Sequence, residues 1–373
     1  MLFAEVLGHT SLKQHLVKLV QSDKMPHALL FHAYSGAGGL AMALALSQYL
    51  QCENKGDDDS CGICNACKKS SRMIHPDIHY TFPVFTQKSG TPPKSNDFLV
   101  PFRKFAIETP YSDYFTWIST LTEENKQGNI SAEEARYIIK QLNMKAYEGD
   151  YKVQIIWGAE YLGKEGNILL KLIEEPPPNT VIILVAENPE EVLPTILSRT
   201  QIIAVPALDD ASITSALIDA GHHTAEAEAA AYIAEGSYAS ALSVVSKKEE
   251  NYALLFTEWM RSLLTLRKSA GILVKWCDKV HSMGRERSKD FLDYSLHFFR
   301  QTLLQKYMPE VPPRLTANEQ KISGHLLQYL NSESIAEIEN ILSETIYSIE
   351  RNGYIKAQMM NASLEIGANL QKN

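Results

Sequence analysis

The chain has 373 residues, of which 45% are hydrophobic and 21% charged, and its formal net charge is −8. That length exceeds one ordinary core, so two or three domains are expected in a globular protein. The acidic balance argues against a main role in coating DNA, which favours a basic surface, although a local basic face stays open. The sequence opens without a charged segment followed by a long apolar run, and no stretch reaches 18 uninterrupted apolar residues. No signal peptide and no membrane span are expected, the expected location is cytoplasmic, and five cysteines in that setting argue against a disulfide framework.

In chain order, Ser11 is a candidate cap for a helix carrying Leu12, Leu16 and Leu19 at helical spacing. The run Ala28–Phe31 suits a buried strand. A glycine-rich turn follows at Gly36 to Gly39, then a helix to about Leu50, an order that matches a phosphate-binding loop. A second strand is predicted at Lys152–Trp157. The helix predicted around Asn167–Glu175 stops at Pro176, because proline cannot continue it. Further strands are predicted at Val181–Val185 and Gln201–Val205, and alternation with helices implies a parallel, doubly wound α/β sheet. After Pro206 strand signals disappear. Asp209–Ser246 reads as a small helical unit, and from Asn251 onward the chain is helical, with an apolar stripe of Ile335, Ile338, Leu342, Ile346 and Ile349. Domains are therefore predicted at 1–206, 207–248 and 249–373. Residues 82–128, with Pro92, Pro93, Pro101 and Pro110 among many aromatics, read as an irregular insertion before a helix at Ala132–Leu142. The insertion is either a surface excursion with its own apolar cluster or a partner-contact element.

Cys52, Cys61, Cys64 and Cys67 follow the spacing C-x8-C-x2-C-x2-C within a module at about 52–67. Zinc takes four soft ligands in a tetrahedron, and a filled set leaves no place for a reactive water, so a structural ion is expected. In small peptides such a site contributes roughly 10–16 kcal/mol to folding. Lys68 and Lys69 would offset the charge of four thiolates on one zinc. The alternative is four reduced thiols or a redox pair; His75 is a candidate substitute ligand, and Cys277, beside Trp276, reads as a buried apolar residue.

A working phosphate loop reads G-x4-G-K-[ST], its lysine meeting the phosphates and its hydroxyl the magnesium. Here Ala33 holds the first glycine position, Gly36 and Gly38 keep the turn, Gly39 holds the lysine position and Leu40 the hydroxyl position. The second strand should end in acidic residues that hold magnesium. Trp157 and Gly158 stand there instead, with Glu160 two residues beyond. The coordinated loss of lysine, hydroxyl and both carboxylates predicts that this chain does not hydrolyse ATP. Glu174 and Glu175 read as the exposed end of a helix and not as an acid–base pair.

With these residues in view the chain resembles the delta-prime subunits of the bacterial DNA polymerase III clamp loader, a branch of the AAA+ family. The resemblance rests on Phe3–Gly8, Pro26–Phe31, the cysteine cluster, His75-Pro76-Asp77, Tyr147-Glu148-Gly149, Lys152-Val153, Asn167–Pro177, Asn188-Pro189 and Leu193–Thr200. It covers residues 1 to about 245, and only helical character extends it further. It implies an AAA+ module, a three-helix lid and an all-α collar. It implies a five-membered assembly with ATPase subunits and a delta-like wrench subunit, which places the sliding clamp on primer-template DNA. It further implies that Arg199 serves in trans as an arginine finger, supported by Ser198. Thr200 stands where the family has cysteine, and Ala239 where ATP-binding relatives have arginine. Without the resemblance, Arg199 reads as a surface residue pairing with Glu174, Glu175 or Glu190. The rival functions are an autonomous AAA+ ATPase with a divergent site and a zinc-dependent nucleic-acid module.

Overall fold

The computed structural model describes residues 1–86, 92–122, 128–246, 250–265, 270–351 and 353–372. Parts of the predicted insertion (87–91 and 123–127) and the predicted boundary at 248 lie outside the described residues. The chain divides into two compact units. One comprises Met1–Ala231 with Glu235–Leu242, and the other Tyr232–Ala234 with Ser243–Asn373.

The first unit begins with α1 (Thr10–Gln21), β1 (Ala28–Ala33), α2 (Gly39–Gln51), α3 (Asn65–Ser71) and β2 (Ile78–Thr81). It continues with α4 (Leu99–Glu108), α5 (Tyr114–Leu121), α6 (Ala132–Leu142), β3 (Lys152–Trp157), α7 (Leu170–Glu174), β4 (Thr180–Ala186), α8 (Pro194–Leu197) and β5 (Gln201–Val205). Next come α9 (Asp210–Asp219), α10 (Thr224–Ile233), whose last two residues fall in the second unit, and α11 (Tyr238–Val245). The five strands form one sheet in the order β2-β3-β4-β1-β5, and every neighbouring pair is parallel. β3 and β4 are buried along their whole lengths, as strands covered on both faces must be. β4 therefore reads as a nearly continuous apolar run, while β3 also buries Lys152 and Gln154.

Several expectations are corrected. Ser11 is not the cap of α1. Gly8 and His9 are left-handed, the His9 ring is held by the Ala37 carbonyl at 2.9 Å, and the helix starts at Thr10. The helix predicted at Asn167–Glu175 is a 3-10 segment, Ala159–Leu169, followed by the short α7. β2 had no sequence reading; it is four residues long, too short to declare a period. The predicted irregular insertion contains two helices, α4 and α5. Asp113 caps α5 by accepting the Thr116 amide at 2.7 Å.

The apolar cluster of the insertion is continuous with the sheet. Phe82 and Phe102 stack with ring centroids 3.6 Å apart, Trp117 meets both edge-on, and Phe102 and Phe105 each reach the Trp157 ring at 5.7 Å. The Trp117 indole N–H donates to the Pro83 carbonyl at 2.9 Å, so this buried donor is satisfied. Behind the cluster, the buried Glu134 accepts from the Thr81 hydroxyl and the Ser95 amide, which fastens α6 to the end of β2 and to the first part of this segment.

The second unit is helical among its described residues: α12 (Glu250–Leu264), α13 (Ala270–Ser282), α14 (Arg285–Tyr307), α15 (Ala317–Leu326), α16 (Ser332–Glu350) and α17 (Ile355–Lys372). Its core contains the predicted stripe, with Ile335, Ile338, Leu342 and Ile349 buried and Ile346 packed at the margin. Trp259 and Trp276 stack at 5.1 Å beside the buried Cys277, as expected for an apolar cysteine.

Phe102→Ala should destabilise the first unit by about 3–5 kcal/mol, the usual cost of emptying a fully buried aromatic site. Chemical denaturation followed by tryptophan fluorescence measures it. A loss under about 1 kcal/mol would show that this cluster is not part of the core.

Candidate functional site

Four cysteine sulfurs converge beside the C-terminal end of α2. All four lie within 4.8 Å of one another, and the Cys61 and Cys67 sulfurs are 3.9 Å apart. Sulfurs around one zinc at about 2.3 Å stand about 3.8 Å apart, so the spacing fits that ion. The backbone also fits. The amides of Cys61, Cys64 and Cys67 donate to the sulfurs of Cys52, Cys61 and Cys64 at 3.2, 3.4 and 3.4 Å. Such donors favour thiolate, and those of Cys64 and Ile63 pull the Cys61 thiol down to about 6. Burial pushes Cys52 and Cys67 upward, so the deeper pair needs a cation to ionise. Among the described residues this is the one metal-capable cluster, and His75 is not in it. His75 instead accepts the Asp77 amide through Nδ1, and its Nε2 faces Glu148 at 3.5 Å. Lys69 is also otherwise engaged, paired with Glu148 at 2.6 Å, while Lys55 donates to the Cys52 carbonyl. Asp59 binds the module to the N-terminal segment by accepting the Phe3 and Ala4 amides.

The phosphate-loop positions also converge, at the C-terminal edge of the sheet. Gly36 and Gly38 have φ of +74° and +93°, so the turn survives in its glycine-requiring form. The space around it is filled by the chain itself. A side-chain carbon at Gly39 would stand 2.4 Å from the Ala33 Cβ and 2.9 Å from Val185, so a lysine has no room there. Leu40 is buried at the start of α2. Over Gly38 lies the ring of Tyr111, 2.4 Å from where a Cβ would be. The Tyr111 hydroxyl accepts the Leu7 amide at 2.7 Å, and its ring meets Tyr238 edge-on at 5.2 Å. Ser237 crowds Gly36, whose carbonyl accepts the Tyr238 amide. Trp157 and Gly158, in the acidic-strand positions, receive the insertion: Trp157 against Phe102 and Phe105, Gly158 against Pro83.

The groups at this edge are acidic as well. Glu160 accepts the Glu187 amide at 3.1 Å through one oxygen, and its other oxygen is buried without a partner. Burial, aided by Asp113 and Glu160, pushes the Glu187 carboxyl up to about 8. Carboxyl groups that burial holds toward the neutral form stand here, where a phosphate loop would supply a cation. Tyr111 and Glu187 escaped sequence reading because neither has a fixed spacing from the loop.

Ser198 and Arg199 lie elsewhere, after α8, and the structure does not bring them to the loop. The Arg199 Nε donates to Glu174 Oε1, and Nη1 donates to the Thr195 carbonyl at 3.0 Å and the Ser198 hydroxyl at 3.1 Å. Of the three acids considered from sequence, Glu174 is therefore the partner.

A family described as DNA polymerase III, delta subunit, matches residues 8–209, more than half of the chain. The chain is similar to the DNA polymerase III subunit delta' of Escherichia coli strain K12, at 28% identity over 190 residues, 51% of this chain and 45% of that protein. It is similar to the subunit of the same name from Yersinia pestis, at 30% over 174 residues, 46% of this chain and 39% of that protein. For the Bacillus subtilis strain 168 subunit the figures are 26% over 204 residues, 55% and 49%. The chain thus spans less than half the length of these relatives. No helix among the described residues is long and apolar enough to cross a membrane.

Two outcomes are expected. The purified chain should carry zinc in equimolar amount by elemental analysis, and chelation should lower its thermal midpoint by several degrees; a folded chain with four titratable thiols and no metal rules the site out. Glu187→Gln should flatten the pH dependence of stability. With the folded value near 8 against an ordinary 4.5, the wild-type contribution is whole below 4.5 and lost as pH rises through 8. The variant's advantage in urea midpoint should grow from pH 5 to pH 8.5 and reach about 1 kcal/mol or more.

Proposed function

The chain belongs to the DNA polymerase III delta-subunit family, and from that premise we propose that it is a non-hydrolysing, delta-prime-like member of a clamp loader. In this reading it stands in a five-membered ring segment with ATPase subunits and a delta-like wrench subunit, and supports placement of a sliding clamp on primer-template DNA. The division into an AAA+ module at 1–206, a helical lid at 207–248 and a collar at 249–373 belongs to the same proposal. So does structural zinc on Cys52, Cys61, Cys64 and Cys67.

The observation that carries it is an asymmetry of charge. The loop of this chain holds Gly39 at the lysine position, where a side chain would clash with Ala33, and Leu40 at the magnesium-ligand position, and carboxyl groups line its edge. Arg199, by contrast, is on the surface. Guanidinium stays protonated and bridges phosphate oxygens, so an arginine presented to a neighbour's triphosphate stabilises the charge that builds during phosphoryl transfer. In this role Arg199 is catalytic in trans, and the Ser198 hydroxyl supports it by accepting from Nη1. The autonomous ATPase reading is not favoured, since nothing at the loop holds phosphate. Nor is the nucleic-acid module, since the cysteines are built onto α2 of a larger α/β unit.

Arg199→Ala should lower ATP turnover of the reconstituted complex at least ten-fold, the lower range of arginine-finger effects being about 10³. Subunit assembly by gel filtration should be unchanged. Wild-type turnover in the variant removes the role, and magnesium-dependent hydrolysis by the isolated chain would restore the autonomous reading.

A further inference from the structure

We propose that Glu174 is the positioning residue for Arg199, holding its guanidinium by Nε so that the Nη2 donors are kept for a neighbour. The inference rests on the arginine-finger reading and names what makes that finger ready before a neighbour arrives.

Arginine has five N–H donors in a planar fork. Three are engaged here: Nε–H with Glu174 Oε1, and both Nη1 protons with the Thr195 carbonyl and the Ser198 hydroxyl. Among the described residues nothing bonds Nη2. The plane is therefore held on two sides, through Nε and through Nη1, and the two protons of Nη2 remain as donors.

The holding groups are themselves fixed. Glu174 is the last residue of α7, where Leu172 and Ile173 are buried. Thr195 belongs to α8, whose Ile196 is buried in the same core cluster. The Ser198 hydroxyl donates to the Thr195 carbonyl at 3.2 Å while it accepts from Nη1, so it is oriented on both sides. Two helix C-termini thus meet at the guanidinium. Both present negative charge or unpaired carbonyls, and a cation is the complementary group.

An exposed ion pair of this kind adds little to stability. Its use lies in geometry, because a long arginine left free samples many rotamers and loses entropy on meeting a phosphate. Glu174 bonds Nε through one oxygen only and so leaves both Nη2 protons available, whereas a carboxylate bridging both terminal nitrogens would occupy one of them.

The test is steady-state ATP turnover by the complex reconstituted with the full chain. Glu174→Ala should lower kcat about five-fold with KM for ATP unchanged, since misplacement of a reacting group costs rate and not ground-state binding. Glu174→Gln, which keeps an acceptor for Nε–H, should restore kcat to within about two-fold of wild type. Adding Glu174→Ala to Arg199→Ala should cause no further loss, because the two act as one unit. A rise in turnover, no change, or an equal loss in the Arg199→Ala background would each overturn the proposal. If Glu174→Ala does not assemble, Glu174→Gln compared with Glu174→Asp, which withdraws the carboxylate by one methylene, carries the same test. Arg199→Ala measured alongside separates the two readings: its failure to reduce turnover removes the finger itself, whereas its success with an inert Glu174 removes only the positioning role.

Discussion

Trp157 fixes the character of this molecule. It ends strand β3 at the place where a working nucleotide site needs a carboxylate, and its ring is buried against Phe102 and Phe105 of the insertion. Burial of such a ring is worth about 1.5–3 kcal/mol, with about 0.5–1.5 kcal/mol more for each well-oriented aromatic pair. The position has thus been given over from metal chemistry to packing. With α4 packed on Trp157, the turn between α4 and α5 delivers Tyr111 to Gly38, and Tyr111 in turn meets Tyr238 at the start of α11. One substitution in the strand is linked to a loop filled by protein.

The same economy of charge separates the two sites. At the sheet edge, half-buried Glu160 and Glu187 stand where a phosphate loop has its cation, and burial holds both carboxyls toward the neutral form. After α8 the cation of Arg199 stands on the surface, held by Glu174, the Thr195 carbonyl and the Ser198 hydroxyl. In the proposed reading the chain reaches a neighbour's triphosphate and does not hold one of its own. The cysteine module serves neither end directly. It closes the segment between α2 and β2, where few apolar residues are available, and Asp59 fastens it to the chain's first helical turn.

Sequence alone determined the parts whose signal is local. Long apolar runs gave β1, β3, β4 and β5, the spacing of four cysteines gave a cluster that does converge, and the missing lysine, hydroxyl and acids were legible letter by letter. The apolar stripe of α16 was equally plain, because helical period survives whatever the helix packs against. Tertiary structure decided the rest, for a common reason: the contacts join residues with no fixed separation. Tyr111 reaches Leu7 and Gly38, Trp157 reaches the insertion, and Glu174 reaches across 25 positions to Arg199. The insertion was read as irregular because its prolines mask two short helices, and its true partner is a strand some fifty residues on. A pattern in the chain tells which groups have been removed; only the folded packing tells what now stands in their place.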